Sequence, residues 1–228
     1  MLDLPARLTT SRLADVTGPA ARLRLPKGLG PVRIGVFGGS FNPPHEGHLH
    51  VARTALRRLN LDQVWWLVSP QNPLKNPSQT SDLAERLAKT AQLATAPAMR
   101  VSALEAGLGV QYTSDTLAAL KRHLPHVRFV WIMGADNLAG FHRWRGWRDI
   151  FATTPIAVVA RPPLEAALKA RLGPAARIYA HHRVEESAAA GLAALDPPAW
   201  VYLTAPMNAA SSTALRVDRV TARQQAPE

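Results

Sequence analysis

The sequence predicts an α/β protein built on an open, mostly parallel sheet with helices on both faces. Three observations carry that expectation. Short apolar, β-branched runs recur along the chain, helical patterns separate them, and the first run ends in paired glycines directly ahead of a helix. A helix between two strands carries the chain back to the starting edge, so the next strand runs in the same direction as the last.

The first strand is read in VRIGVFGGSF (32–41), a buried run breaking into a tight turn. Residues 45–59 follow as a helix, with Leu49, Ala52, Leu56 and Leu59 on one face and Arg53, Arg57 and Arg58 around it. VWWLVSP (64–70) is a second strand, and the Asn- and Pro-rich stretch QNPLKNPSQTS (71–81) is a loop. Thr80 or Ser81 caps a helix running to about Ala96, with Leu83, Leu87 and Ala91 apolar. MRVSALE (99–105) reads as a third strand. Thr113 or Ser114 then caps a helix whose Leu117 and Leu120 turn inward. VRFVWIMG (127–134) is the most strand-like run of the chain and leads through Gly134-Ala135-Asp136 into the Trp-rich FHRWRGWRDIF. Strands at 155–162, 177–184 and 200–206, an Ala-rich helix at 164–172 and a serine-opened helix in ASSTALRVDRV (210–220) complete the reading.

The chain has 228 residues, 47% of them apolar and 19% charged, which is ample for a buried core. The organisation expected is a basic extension over 1–30, one domain over 31–220 and a polar tail over 221–228. No uninterrupted apolar window approaches the ~18 residues of a membrane span. The first thirty residues alternate apolar residues with Arg and Asp, unlike a secretory leader. Cysteine is absent, which excludes disulfides, thiolate nucleophiles and Cys-based metal sites and fits a reducing cytoplasm. The 27 Lys and Arg exceed the 16 Asp and Glu, giving a net charge of +11 that favours an anionic partner. Oligomeric state leaves no signal in the composition.

An open parallel sheet binds its ligands beyond the carboxyl ends of its strands. That rule nominates the turn at Gly38–His48, the loop at Pro70–Lys75, the segment Gly134–Trp147 and the helix entry at Ser211. The first is the richest: GGSFNPPHEGHLH (38–50) sets Gly38 and Gly39 at a strand end, Pro43 and Pro44 in a turn, and His45 and His48 three residues apart where a helix begins. Free amides and partial positive charge at a helix N-terminus, joined by two imidazoles, suit a phosphate. No Cys or carboxylate completes a metal set with the two histidines, so no protein-held metal is expected.

The pattern of Gly39, Phe41, Pro43, His45, Gly47 and His48 resembles the G-x-F-x-P-x-H-x-G-H signature of the nucleotidyltransferases related in fold to class I aminoacyl-tRNA synthetases. Ser212-Thr213-Ala214-Leu215-Arg216, preceded by Ser211, is similar to their second signature, S-S/T-x-x-R. N-P-L-K at 72–75, Y-T-S-D-T-L at 112–117 and G-A-D-N-L from 134 with two following Trp narrow the resemblance to the nicotinate-nucleotide adenylyltransferases, over roughly residues 33–217. Two departures are Asn42, where that family often has Asp, and Ala210, where Ile usually precedes the serines.

The resemblance implies a Rossmann-like fold of the HUP type and adenylyl transfer from ATP to nicotinate mononucleotide, with Mg²⁺ accompanying ATP. It assigns the ATP site to Gly38, Gly39, Ser40, Phe41, His45, His48, Ser211, Ser212, Thr213 and Arg216, with His45, His48 and Arg216 acting on the reacting phosphates. It assigns the mononucleotide to Lys75, Tyr112, Thr113, Asp136 and Trp144: Lys75 on the phosphate, the amides around Tyr112 and Thr113 on the carboxylate, and Trp144 stacked on the pyridinium. Asp136 reads as a ligand to ribose or ring or equally as a helix cap, Trp147 as core, and Arg143, Arg145 and Arg148 as surface charge or substrate steering. Two alternatives stay open from sequence: a related transferase for nicotinamide mononucleotide, phosphopantetheine or a cytidylyl acceptor, and a non-catalytic nucleic-acid module using the positive charge. Against the second, only 142–148 interleaves basic and aromatic residues.

Overall fold

A computed structural model describes Leu23, Leu25, Pro26 and residues 31–70, 80–160 and 169–204. Lys75 and most of the loop expected over 71–81, residues 164–168 of the expected Ala-rich helix, Ser211, Ser212, Thr213 and Arg216 with the helix expected over 210–220, the expected tail and most of the expected N-terminal extension lie outside the described residues.

Seven strands form one sheet: β1 (Arg33–Gly39), β2 (Gln63–Val68), β3 (Met99–Ser102), β4 (Arg128–Gly134), β5 (Ile156–Val159), β6 (Arg183–Val184) and β7 (Trp200–Leu203). Their order is β3-β2-β1-β4-β5-β7-β6, and every pairing is parallel. β2 and β5 are buried at every position, as expected where helices cover both faces and the strand sequence has no polar side to show.

Successive side chains of β1 feed two separate cores. Ile34 and Val36 join Trp65, Leu67, Trp131 and Met133 on one face. Phe37 joins Trp66, Val130 and Ile132 on the other. The first face is covered by α3 (Leu104–Leu108), α4 (Thr113–His123), α5 (Ala135–Gly140), α6 (Trp147–Thr153) and α7 (Pro174–Ile178). The second carries α1 (Glu46–Arg58), α2 (Leu83–Leu93) and the 3₁₀ segment Glu186–Ala194. Of the stripe expected from the spacing, Leu49 and Ala52 of α1 and its C-cap Leu59 are buried, and Leu56 is half-buried against the same core. Leu117 and Leu120 of α4 are likewise buried.

Four sequence expectations are corrected. The strand expected over 99–105 stops at Ser102, because Leu104 is drawn into the core as the first residue of α3. Of the strand expected over 177–184 only Arg183–Val184 pairs; Pro174 starts α7 at its first turn, and the Tyr179 ring stacks on Phe151 at 3.9 Å. α2 is capped by Asp82, whose carboxylate accepts from the Ala84 amide at 2.9 Å, and Ala91 on it is exposed. α4 begins at Thr113 after Tyr112, with no side-chain cap. Residues 169–172 of the Ala-rich stretch are helical. Leu23, within the expected extension, is buried in the core of the first face. Among the described residues no helix is long and apolar enough to cross a membrane.

Candidate active site

From β1 the chain moves outward to β2 and β3, then returns to place β4 on β1's other flank. The crossovers diverge there, and open parallel sheets bind their ligands beyond the carboxyl ends of the strands that flank such a reversal, here β1 and β4. β1 ends in Gly38-Gly39 and β4 in Gly134, while α1 and α5 start just beyond. Gly38 is required by a close approach: a Cβ there would stand 2.5 Å from the Trp131 ring.

The turn after β1 is held tightly. Phe41 takes a left-handed φ of 42°, a conformation that costs a non-glycine residue roughly 1–3 kcal/mol and persists only where the surroundings enforce it. Its ring is fixed between Phe37 at 5.4 Å, Trp66 at 5.2 Å and His48 at 5.1 Å. The Asn42–Pro43 peptide is cis. Asn42 Oδ1 accepts from the Ser81 amide at 3.3 Å, a contact that either an amide or a carboxylate oxygen can make.

His45 and His48 open α1 as a reciprocal pair. His45 Nδ1 accepts from the Gly47 amide at 3.1 Å, His48 Nδ1 accepts from the His45 amide at 3.3 Å, and the rings lie 3.8 Å apart. Accepting at Nδ1 places the proton of each neutral ring on Nε2, the donor position suited to a phosphate oxygen. His45 is buried and His48 half-buried.

Trp144, half-buried, sets its ring edge-on to Trp131 at 6.3 Å and Phe141 at 5.1 Å. Two contacts bring its loop to the start of α4. The Arg145 guanidinium sits over the Tyr112 ring at 4.4 Å, and Gly146, at φ 66°, packs so closely that a Cβ would meet Ser114 at 2.8 Å. These contacts set residues 145–146, directly after Trp144, against the start of α4. Asp136 lies in the exposed first turn of α5, whose cap is Gly134, so the cap reading for Asp136 does not hold. Trp147 is core, as expected, packed on Phe151 and Tyr179. Arg143, Arg145 and Arg148 are exposed, and Arg148 covers the Trp147 ring at 4.5 Å.

Two buried polar residues were not signalled by the sequence reading. Arg86 of α2 is 2% exposed and bonds only backbone carbonyls among its described hydrogen bonds, at Ser40, Ser69, Pro70 and Ser81; burial pulls its pKa down against the opposing charge of Asp82. Glu105 of α3 accepts from Thr116 Oγ1 at 3.1 Å beneath the first turn of α4, and burial pushes its carboxyl up to about 7 despite that bond.

Comparison with known proteins agrees with this geometry. A cytidylyltransferase-like family model matches residues 36–217. A protein of Caulobacter sp. (strain K31) named probable nicotinate-nucleotide adenylyltransferase is 61% identical over 81% of this chain and 97% of its own. One of the same name from Agrobacterium fabrum is 50% identical over 80% of this chain and 97% of its own. The fold matches a Plasmodium falciparum nicotinic acid mononucleotide adenylyltransferase complexed with NaAD, at a TM-score of 0.60 and 16% identity over 82% of this chain and 83% of that one. With the family model covering residues 36–217 and curated relatives at 50–61% identity matched over nearly their whole length, the chain belongs to the nicotinate-nucleotide adenylyltransferase family, within the cytidylyltransferase-like group.

Proposed function

We propose that this protein transfers the adenylyl group of ATP to nicotinate mononucleotide, giving nicotinate adenine dinucleotide and pyrophosphate in NAD synthesis. The observation that carries the reading is the reciprocal histidine pair at the N-terminus of α1, directly beyond the carboxyl end of β1.

A phosphate is already a nucleophile, so no covalent protein intermediate is needed. An oxygen of the mononucleotide 5′-phosphate attacks the α-phosphorus of ATP as the bond from that phosphorus to the β-bridging oxygen breaks, and the electron pair leaves with pyrophosphate. The protein positions two anions that repel one another and stabilises the charge that develops between them. In this reading His45 and His48 donate Nε2–H to the ATP phosphates, and the amides of Gly39, Ser40 and Phe41 line their approach beyond Gly38. Ser211, Ser212, Thr213 and Arg216 take the β,γ-phosphates, and Lys75 takes the mononucleotide phosphate. Trp144 offers a flat face to the pyridinium, Tyr112 and Thr113 offer helix-start amides to its carboxylate, and Asp136 faces the ribose or ring. Among the described residues no cluster of three His, Asp or Glu could hold a metal ion, and N–H donors at the turn suit phosphate oxygens. Mg²⁺ bound with ATP would supply charge neutralisation on the phosphates while these N–H donors hold their oxygens.

The test is pyrophosphate release with ATP and Mg²⁺, comparing nicotinate mononucleotide, nicotinamide mononucleotide and phosphopantetheine as acceptors. A preference of tenfold or more in kcat/KM for the nicotinate compound is expected. Equal use of the amide removes the carboxylate role of Tyr112 and Thr113, and no release with any acceptor removes the enzymatic reading.

A further inference from the structure

Arg86 touches neither substrate in the proposed reading, yet it ties together the backbone segments that carry the phosphate turn. Its Nε donates to the Ser81 carbonyl at 2.9 Å, Nη1 to Ser40 at 2.8 Å and Ser69 at 2.7 Å, and Nη2 to Pro70 at 2.9 Å. One planar cation thus bonds three separate stretches of backbone: the turn after β1, the end of β2 and the lead into α2. The planar fork fixes those carbonyls relative to each other with little freedom, which a flexible ammonium cannot do.

The bond to Ser40 has a specific consequence. The Ser40 carbonyl and the Phe41 amide belong to one rigid peptide plane, and in a trans peptide they point in opposite directions. Holding the carbonyl toward Arg86 turns the Phe41 N–H the other way and maintains the left-handed φ of 42° at Phe41. The ring of Phe41 in turn supports His48. The Ser81 backbone is held twice, by its carbonyl to Arg86 and by its amide to Asn42 Oδ1. The cost of burying the guanidinium is offset by carbonyl dipoles whose orientations it dictates.

We propose that Arg86 is a positioning residue for adenylyl transfer: it orients the Ser40–Phe41 peptide, and through Phe41 the His48 ring, without touching either substrate. This rests on the reading that the Gly38–His48 turn holds the ATP phosphates.

The experiment measures kcat and KM for ATP and for nicotinate mononucleotide in the wild-type enzyme, Arg86→Lys and Arg86→Gln, each normalised to the folded fraction from circular dichroism. Arg86→Lys keeps the charge but cannot span four carbonyls; its kcat is expected to fall about 10- to 100-fold, with KM for ATP within about threefold, because misplacement by an ångström acts chiefly on the transition state. Arg86→Gln is expected to fall further. An unchanged kcat per folded enzyme in either variant makes Arg86 a fold cross-link and overturns the proposal, as does failure of both variants to fold. An inactive wild-type enzyme overturns instead the reading of the turn as a phosphate site.

Discussion

At the scale of single residues, the site depends on groups that do two jobs at once. His48 accepts the His45 amide through Nδ1 and rests against Phe41, so one ring both closes the helix start and presents a donor. Replacing it with Ala removes the donor and the cap together. The expected result is a fall in kcat of about 10²–10³-fold with KM for ATP changed only a few-fold, and a loss of stability of about 1 kcal/mol from the missing cap. Steady-state kinetics and thermal unfolding separate the two effects; a change confined to KM would remove the transition-state role. Phe41 illustrates the same economy, its strained backbone being held by aromatic neighbours that also form the second core.

At the scale of elements, α3 and α4 are joined by a buried acid. Glu105 lies under the first turn of α4, bonded to Thr116 Oγ1, which also donates to the Tyr112 carbonyl at 3.2 Å. Because burial raises its folded pKa from an ordinary 4.5 to about 7, the folded protein binds the proton more tightly than the unfolded chain does. The stabilisation is complete below about pH 4.5 and is lost as pH rises through about 7, a swing of about 3 kcal/mol. Glu105→Gln should flatten that dependence and unfold at a higher temperature than wild type at pH 8; a difference in Tm constant from pH 5 to 8 would refute the assignment. What the sequence reveals about elements follows from how locally each is encoded. β1, its glycine turn and α1 are legible because Gly, Pro and His stand within one window, and the chemistry and the chain reversal need the same residues. Arg86 is not legible, since its partners are backbone carbonyls, which no side-chain pattern announces, and a lone Arg among helical polar residues reads as solvent-facing. The stretch 177–184 misleads for another reason: its mixed apolar and basic residues fit a strand as well as a helical turn, and Pro174 just ahead decides the matter.

At the scale of the whole molecule, two cores sandwich one sheet, and the first recruits Leu23 from well ahead of β1. Leu23→Ala should cost about 2–3 kcal/mol, read as a lower urea midpoint with an unchanged slope; a cost below about 0.5 kcal/mol would place that segment outside the cooperative unit. The net charge of +11 is compatible with a site for two anionic substrates. The strand order also dictates when the site can come into being. Ile34 pairs with Phe129 across the centre of the sheet, so β1 waits, with one edge unsatisfied, until most of the chain has been made. Non-local parallel pairing of this kind is slow and leaves strand edges exposed meanwhile. The edge shared by β1 and β4 does not exist before that pairing, so the step that joins the two halves of the sheet is also the one that assembles the binding region. A ligand held across β1 and β4 accordingly stabilises only a chain in which those two strands have already met.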